Sequence, residues 1–252
     1  FDYCQNLEFF SQNPETTEGA LGQSLGKRLF TGRLDLIGEL DKKLFALTDT
    51  DKIELKPSVY GDPSTEAELR QVVAGILHTE VAAMNLENFV VRPKRRVIEK
   101  FAKPQSWVVL SPESLNELAH EVAGLPSELE SESEEAKRFD LLVLNLQLAL
   151  LRSKPAFSRL RDEVKELAGL LEEKSAIPMV REQMPLIQDL QTDKWWQDVT
   201  CPMLEIVRRR LRNLVQLIEK AKRTPIYTDF EDEMGDETGV ELPGFTVGNG
   251  FE

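Results

Sequence analysis

Residues 139–151 read FDLLVLNLQLALL, and a helical wheel leaves this run apolar on nearly every side. From Leu141 to Leu151 only Asn145 and Gln147 interrupt it. A helix with no polar face has nothing to offer water, so it belongs at the centre of a bundle, wrapped by other elements. The run also falls well short of the roughly 20 residues that span a bilayer, so no membrane segment is expected.

Working outward, Ser127 to Glu135 is an acidic run that reads as a solvated loop or helix lead-in. Before it, Ser111 and Pro112 have the cap and first-turn chemistry of a short helix that buries Leu115, Leu118, Ala119 and Val122 and stops at Gly124 and Pro126. Further back, Thr65 and Glu68 stand at capping-box spacing after the turn Gly61-Asp62-Pro63. They open a helix whose stripe is Leu69, Val72, Val73, Ile76, Leu77 and Met84. Leu25, Leu29, Leu36, Ile37, Leu40, Leu44 and Leu47 recur at helical steps, with Gly32 and Gly38 each a mild liability of about 1 kcal/mol.

On the other side, Pro155 restarts an amphipathic helix through Phe157, Leu160, Val164, Leu167 and Leu171, and another runs from about Pro178 until Pro185 bends or splits it. Thr200 caps a last long helix in which Leu204, Val207, Leu211, Leu214 and Ile218 form a bundle seam. The expectation is an all-α protein: a connector over 1–19, a multi-helix bundle over 20–224, and an acidic, Gly-rich tail over 225–252. That tail has room for no more than short β-strands near Val240 and Phe245.

Composition narrows the function classes. With 41% hydrophobic residues the 252-residue chain can bury a sizeable core. Its start at Phe1, without an initiator Met or a signal sequence, points to a piece of a longer polypeptide. Cys4 and Cys201 lie too far apart in sequence for a disulfide framework or a cysteine zinc site, as expected of reduced thiols in the cytoplasm. Against 44 acidic residues stand 31 basic ones, and the net charge of −13 repels polyphosphate unless cations are gathered locally.

Patterns that would carry chemistry are weak. Gly22 to Arg28 has three residues between its glycines where a phosphate loop needs four, follows no strand and lacks the hydroxyl for magnesium. Glu54-Leu55-Lys56 matches the tripeptide of a magnesium-dependent nuclease, though without strands around it a solvated pair is the better reading. His78 and His120 belong to no ligand pair, and His78 falls opposite the apolar stripe, on the surface. Glu80 lies inside that stripe and needs either an arginine partner, with Arg92 to Arg96 as candidates, or a frayed helix end that reaches water, the second being favoured. No catalytic, cofactor or metal residue is assigned.

Two basic clusters remain as candidate contacts for a partner or for DNA. One is Arg92, Lys94, Arg95 and Arg96; the other includes Arg208, Arg209, Arg212, Lys220 and Arg223. Heptad counting puts Arg209, Arg212 and Lys220 away from the seam, within reach of phosphates or an acidic partner. Pairing with Glu205, one turn earlier, and solvated helix faces are the plainer and favoured account. Trp195 and Trp196 read as packing anchors before a base-stacking platform.

Several stretches together resemble the C-terminal part of the R (motor and nuclease) subunits of type I restriction enzymes. These are FDYCQNLEFF at 1–10, ENFVVRPKRR at 87–96 with Trp107 after it, and WWQDVT at 195–200 continuing through LEIVRRRLR at 204–212 to YTDFED at 227–232. The resemblance implies a helical region that holds an ATP- and magnesium-dependent DNA translocase and nuclease on the methyltransferase and specificity subunits. None of the family's nuclease, phosphate-loop or helicase motifs maps onto this chain, so ATP and magnesium belong to the parent enzyme. A docking module is the leading expectation, a DNA-tracking surface built from the arginine clusters at 92–96 and 208–223 is the alternative, and an independent hydrolase rests only on Glu54 and Lys56.

Overall fold

Eleven α-helices and no strand are found among the residues that the computed structural model describes, which are 23–45, 61–129 and 132–222. They are α1 (Leu25–Phe45), α2 (Glu66–Ala82), α3 (Arg95–Phe101), α4 (Pro112–Glu117), α5 (Glu134–Leu151) and α6 (Ala156–Glu172). The rest are α7 (Pro178–Glu182), α8 (Met184–Gln191), α9 (Asp193–Gln197), α10 (Cys201–Leu211) and α11 (Val215–Lys222). The connector over 1–19, Leu47, the Glu54–Lys56 tripeptide and the tail over 225–252 lie outside the described residues. No helix among those described is long and apolar enough to cross a membrane.

Local chemistry sets the helix starts. Thr65 accepts a hydrogen bond from the Glu68 amide while the Glu68 carboxylate accepts from the Thr65 amide, the reciprocal cap expected from their spacing. Ser111, Ser133 and Thr200 cap α4, α5 and α10 through their hydroxyls. After α4 a wider turn over Leu118–Val122 carries the helix to Gly124, whose φ of +90° ends it in a conformation that side chains disfavour. At Pro185 the expected split occurs, separating α7 from α8 at Gln183. The last helix is not continuous as read from its heptads: a turn at 212–214 divides α10 from α11, with Leu214 still buried.

The core has two halves, and α5 is common to both. One side of α5, with Leu141, Leu144 and Leu148 at i, i+3 and i+7, joins the N-terminal half of the core, which includes Phe30, Ile37, Leu77 and Phe101 of α1–α3 and Trp107 from the turn after α3. The other side, with Phe139, Leu142, Val143, Leu146 and Ala149, packs against Val164, Leu171, Ile187, Trp196, Leu204 and Leu211 of the C-terminal helices. This double engagement is why the run 139–151 has no polar face. Each fully buried Leu or Phe of this kind contributes about 1.5–3 kcal/mol relative to exposure.

Gly32 lets α1 approach α5 closely, since a Cβ built there would stand 2.8 Å from Leu144 Cδ2. The glycine read as a liability in the sequence is therefore a packing requirement. Replacing it by a branched residue must separate the helices or force Leu144 off its rotamer. Gly32→Val is expected to lower the urea-unfolding stability by about 1–3 kcal/mol. An unchanged midpoint would show that the α1–α5 spacing is not set at this position.

Candidate functional site

Along α5 the one carboxylate within the apolar run is Asp140, and it is 1% exposed. A buried carboxylate without cations would cost several kcal/mol, so its surroundings are dictated. Both of its oxygens accept from Arg208 Nη1, at 3.2 and 3.1 Å. Arg212 adds a two-pronged contact, Nε to Oδ1 at 3.1 Å and Nη2 to Oδ2 at 3.0 Å. Arg33, one helix away on α1, brings Nη2 to 3.5 Å of Oδ2. Three guanidinium groups thus converge on one carboxylate.

Neighbouring acids balance the excess positive charge. Glu205, also buried, accepts from Arg208 at 2.8 and 2.7 Å and from Arg209 at 3.0 Å. Glu132, ahead of α5, lies 2.8 Å from Arg212, and Glu80 of α2 lies 3.8 Å from Arg33. Four arginines and four carboxylates from α1, α2, α5, α10 and the turns beside them form one network. Beyond it, Arg209 donates to the Gly61 carbonyl at 3.0 Å and Arg210 to Asp62 at 2.8 Å, tying α10 to the turn before α2.

The titration behaviour follows from these contacts. Burial pushes the Glu205 carboxyl up, but the hydrogen bonds and charges of Arg208 and Arg209 outweigh it and hold Glu205 below its ordinary value. Glu80 goes the other way: burial raises it, and the more distant Arg33 offsets only part of that. Arg33 is lowered, chiefly by burial and then by repulsion from Arg208. Arg208 is raised, its carboxylate partners outweighing the burial.

A second buried ion pair stiffens the other half. Arg70 of α2, 2% exposed, donates to Asp41 of α1 at 2.9 and 3.2 Å and to the Trp107 carbonyl at 2.5 Å. On the C-terminal side Gln147 and Cys201 bridge α5 and α10: Gln147 donates to the Cys201 carbonyl at 3.1 Å, and the Cys201 thiol donates to the Gln147 carbonyl at 3.7 Å. Burial pushes that thiol up to about 12, so it stays protonated at neutral pH.

The residues singled out by sequence are therefore distributed unevenly. Arg208, Arg209 and Arg212 are brought together, facing Asp140 and Glu205 inside the bundle, as the Glu205 spacing suggested for the first two. Arg212, expected away from the seam, still has helical backbone angles and lies one turn after Arg208, so its side chain reaches the same Asp140 from the flank of the seam. Lys220 lies in α11 and Arg223 outside the described residues. The other cluster is on the surface beside α3: Lys94 pairs with Glu121, and Arg95 with Glu99 at 2.8 Å and Glu87 at 3.9 Å. Arg92 and Arg96 are exposed and form no ion pair among the described residues.

Three expectations need correction. Glu80 does meet an arginine, but it is Arg33 of α1 and not one of the 92–96 candidates, and the favoured frayed end is absent because α2 continues to Ala82. His78 is half-buried, its Nε2 donating to the Ala102 carbonyl at 2.9 Å and its ring edge-on to Trp107, because the segment after α3 covers that side of α2. The deepest line of α2 is Leu69, Val73, Leu77 and Val81, with Val72 and Ile76 only half-buried. Trp196 is a packing anchor as expected: it is buried, donates to the Leu190 carbonyl at 2.7 Å and lies edge-on to Trp195 and Phe157.

Sequence reading passed over Arg33, Asp41, Arg70 and Asp140. For Asp140 a signal existed, since a lone carboxylate in an otherwise apolar run demands cations. Chemically the cluster is a lock: its carboxylates are engaged by guanidinium groups, which do not give up protons near neutral pH. No group of histidine, cysteine and carboxylate side chains arranged to hold a metal ion occurs among the described residues. No family model, curated protein or solved structure matches the chain.

Asp140→Asn leaves three guanidinium groups facing an amide and is expected to lose about 3–5 kcal/mol of unfolding free energy, read from urea titration at pH 7. A loss below about 1 kcal/mol would mean that water or Glu205 takes over its role. Glu205 and Glu80 should show opposite pH signatures. The depressed Glu205 contributes stability above the ordinary glutamate value of 4.5 and loses it as pH falls through its lower folded value. The raised Glu80 favours folding below 4.5, and that contribution disappears as pH rises through its folded value. Glu205→Gln should therefore be destabilising at pH 7 and less so in acid, whereas Glu80→Gln should be stabilising at pH 7 and neutral near pH 4; thermal unfolding across pH 3.5–8 reads both.

Proposed function

We propose that this chain is a non-catalytic docking domain of a type I restriction enzyme R subunit, holding an ATP-dependent DNA translocase and nuclease on its methyltransferase–specificity core in the cytoplasm. The observation that carries the reading is the resemblance over 87–96 and over 195–212. The two stretches do different work in the fold. Residues 195–212 supply Trp196, Leu204, Val207 and Leu211 to the core and Glu205, Arg208, Arg209 and Arg212 to the ionic lock. Residues 87–96 lie mainly at the surface, with Val91 as their buried anchor. A rigid scaffold that displays one such segment is what a docking domain requires.

The alternative, a DNA-tracking surface, has less to draw on. Arg208, Arg209 and Arg212 already satisfy Asp140 and Glu205, and phosphates would have to compete with those short contacts. The net charge of −13 further opposes a polyanion.

With the methyltransferase–specificity complex encoded beside the parent gene immobilised, the chain is expected to bind saturably with Kd about micromolar or tighter at physiological salt. Duplex DNA titrated in parallel should bind weakly or not at all. No binding to the complex, together with DNA binding that weakens steeply with salt, would replace this reading by the tracking surface.

A further inference from the structure

Between α2 and α3 the chain holds an aromatic side chain out in water. Phe89 is 85% exposed and Val90 43%, whereas the next residue, Val91, is fully buried and Leu86 packs against the core. The intervening backbone is closed by successive turns. The Asn88 carbonyl accepts from the Val91 amide at 3.0 Å and the Arg92 amide at 2.8 Å, and the Asn88 side-chain oxygen accepts from the Val90 amide at 2.9 Å. Asn85 accepts from the Glu87 amide at 2.9 Å and donates to Glu128 at 2.8 Å, which anchors the loop to the segment ahead of α5. With Val91 buried and these turns closing the backbone, Phe89 is left on the solvent side of the loop.

An exposed aromatic alone says little, because folded proteins leave much apolar surface in water. The charges beside it add a second constraint. Within the same basic stretch, Lys94 and Arg95 are neutralised by Glu121, Glu99 and Glu87, while Arg92 and Arg96 remain exposed without an ion pair among the described residues. On a chain of net charge −13, two exposed guanidinium groups without an ion pair among the described residues, in the same segment as the apolar apex, are a local inversion of surface character. Arginine and aromatic side chains are also the types that dominate binding energy at protein interfaces.

We infer that Phe89 and Val90, flanked by Arg92 and Arg96, form a docking knob for a protein surface that offers an apolar socket rimmed by carboxylates. The inference rests on the docking reading above and places the contact within it, on the methyltransferase core. Charge favours a protein over a nucleic acid. Exposed Glu87 and Glu99 stand at the two ends of the basic stretch, and a duplex carrying one phosphate charge per roughly 1.7 Å would face them as well. A protein can set carboxylates opposite Arg92 and Arg96 alone.

The test measures binding of the whole chain and of three variants to the methyltransferase–specificity complex, with a short duplex DNA as a second probe. Phe89→Ala and the double change Arg92→Glu, Arg96→Glu are each expected to weaken binding to the complex by roughly tenfold or more. Met179→Ala, which removes another exposed apolar side chain, should bind like the parent. Because Phe89 is in water, its variant should unfold at the parent's urea midpoint, which separates lost contact from lost fold. Equal binding by parent and all variants overturns the knob and leaves the docking reading standing. Failure of the parent itself to bind overturns both. Salt-sensitive DNA binding that the double charge reversal abolishes, with binding to the complex unaltered, assigns the patch to nucleic acid and overturns the protein partner.

Discussion

Asp140 is the constraint around which the bundle is arranged. α5 presents apolar side chains to both halves of the core, and apolar burial is non-directional, so it holds the helices together without fixing how they sit. Direction comes from the carboxylate. Arg212 grips it with two nitrogens and Arg208 with one, from α10 and its end, while Arg33 approaches from α1. A slip of α5 by one residue would bring an apolar side chain to three cations and carry Asp140 into hydrocarbon. Register is therefore set by a few short contacts, and cohesion by the many apolar ones.

The cluster also explains an apparent excess of arginine in α10. Arg208, Arg209, Arg210 and Arg212 look in sequence like a basic surface, yet each meets a carboxylate of this chain. Two of the acids they meet, Asp140 and Glu205, are themselves inside. Burying one charge makes burying its opposite obligatory, and repeated pairing draws five segments into one network. Glu80 marks the edge of that logic. At 3.8 Å its arginine is too far to offset burial fully, and its carboxyl is raised where that of Glu205 is depressed.

How much of this was legible depended on range. Caps and breaks are written within four residues of where they act, and so Thr65 with Glu68, Ser111 with Pro112, Thr200 and Pro185 were readable as they stand. The apolar run at 139–151 announced a central helix for the same local reason. Contacts between residues far apart were not readable: Asp140 and Arg212 are 72 positions apart. Periodicity could say that Glu80 needed relief, but not that Arg33 would come from α1 rather than an arginine from 92–96. His78 was misplaced because a wheel supposes one buried face, and α2 is covered on a second side by the segment after α3. Heptad counting took the Leu204–Ile218 stripe as the one covered face, but Arg212, one helical turn after Arg208, flanks that stripe and is covered by α5 through Asp140.

Pairing arginines inward changes what the outside of the domain presents. Every arginine matched to a buried acid removes one charge of each sign from the surface and leaves the net of −13 to be carried by the remaining groups. Between exposed charges such a field is screened over about 8 Å at physiological salt, so it shapes the approach of a large polyanion more than the final contact. Contact is decided locally, where Arg92 and Arg96 have no ion pair among the described residues and Phe89 stands clear of the core. Arginines engaged by Asp140 and Glu205 cannot meet phosphates without giving up those contacts. A domain that leaves Arg92 and Arg96 exposed in the same segment as Phe89 gathers positive charge and apolar surface on one short stretch of chain.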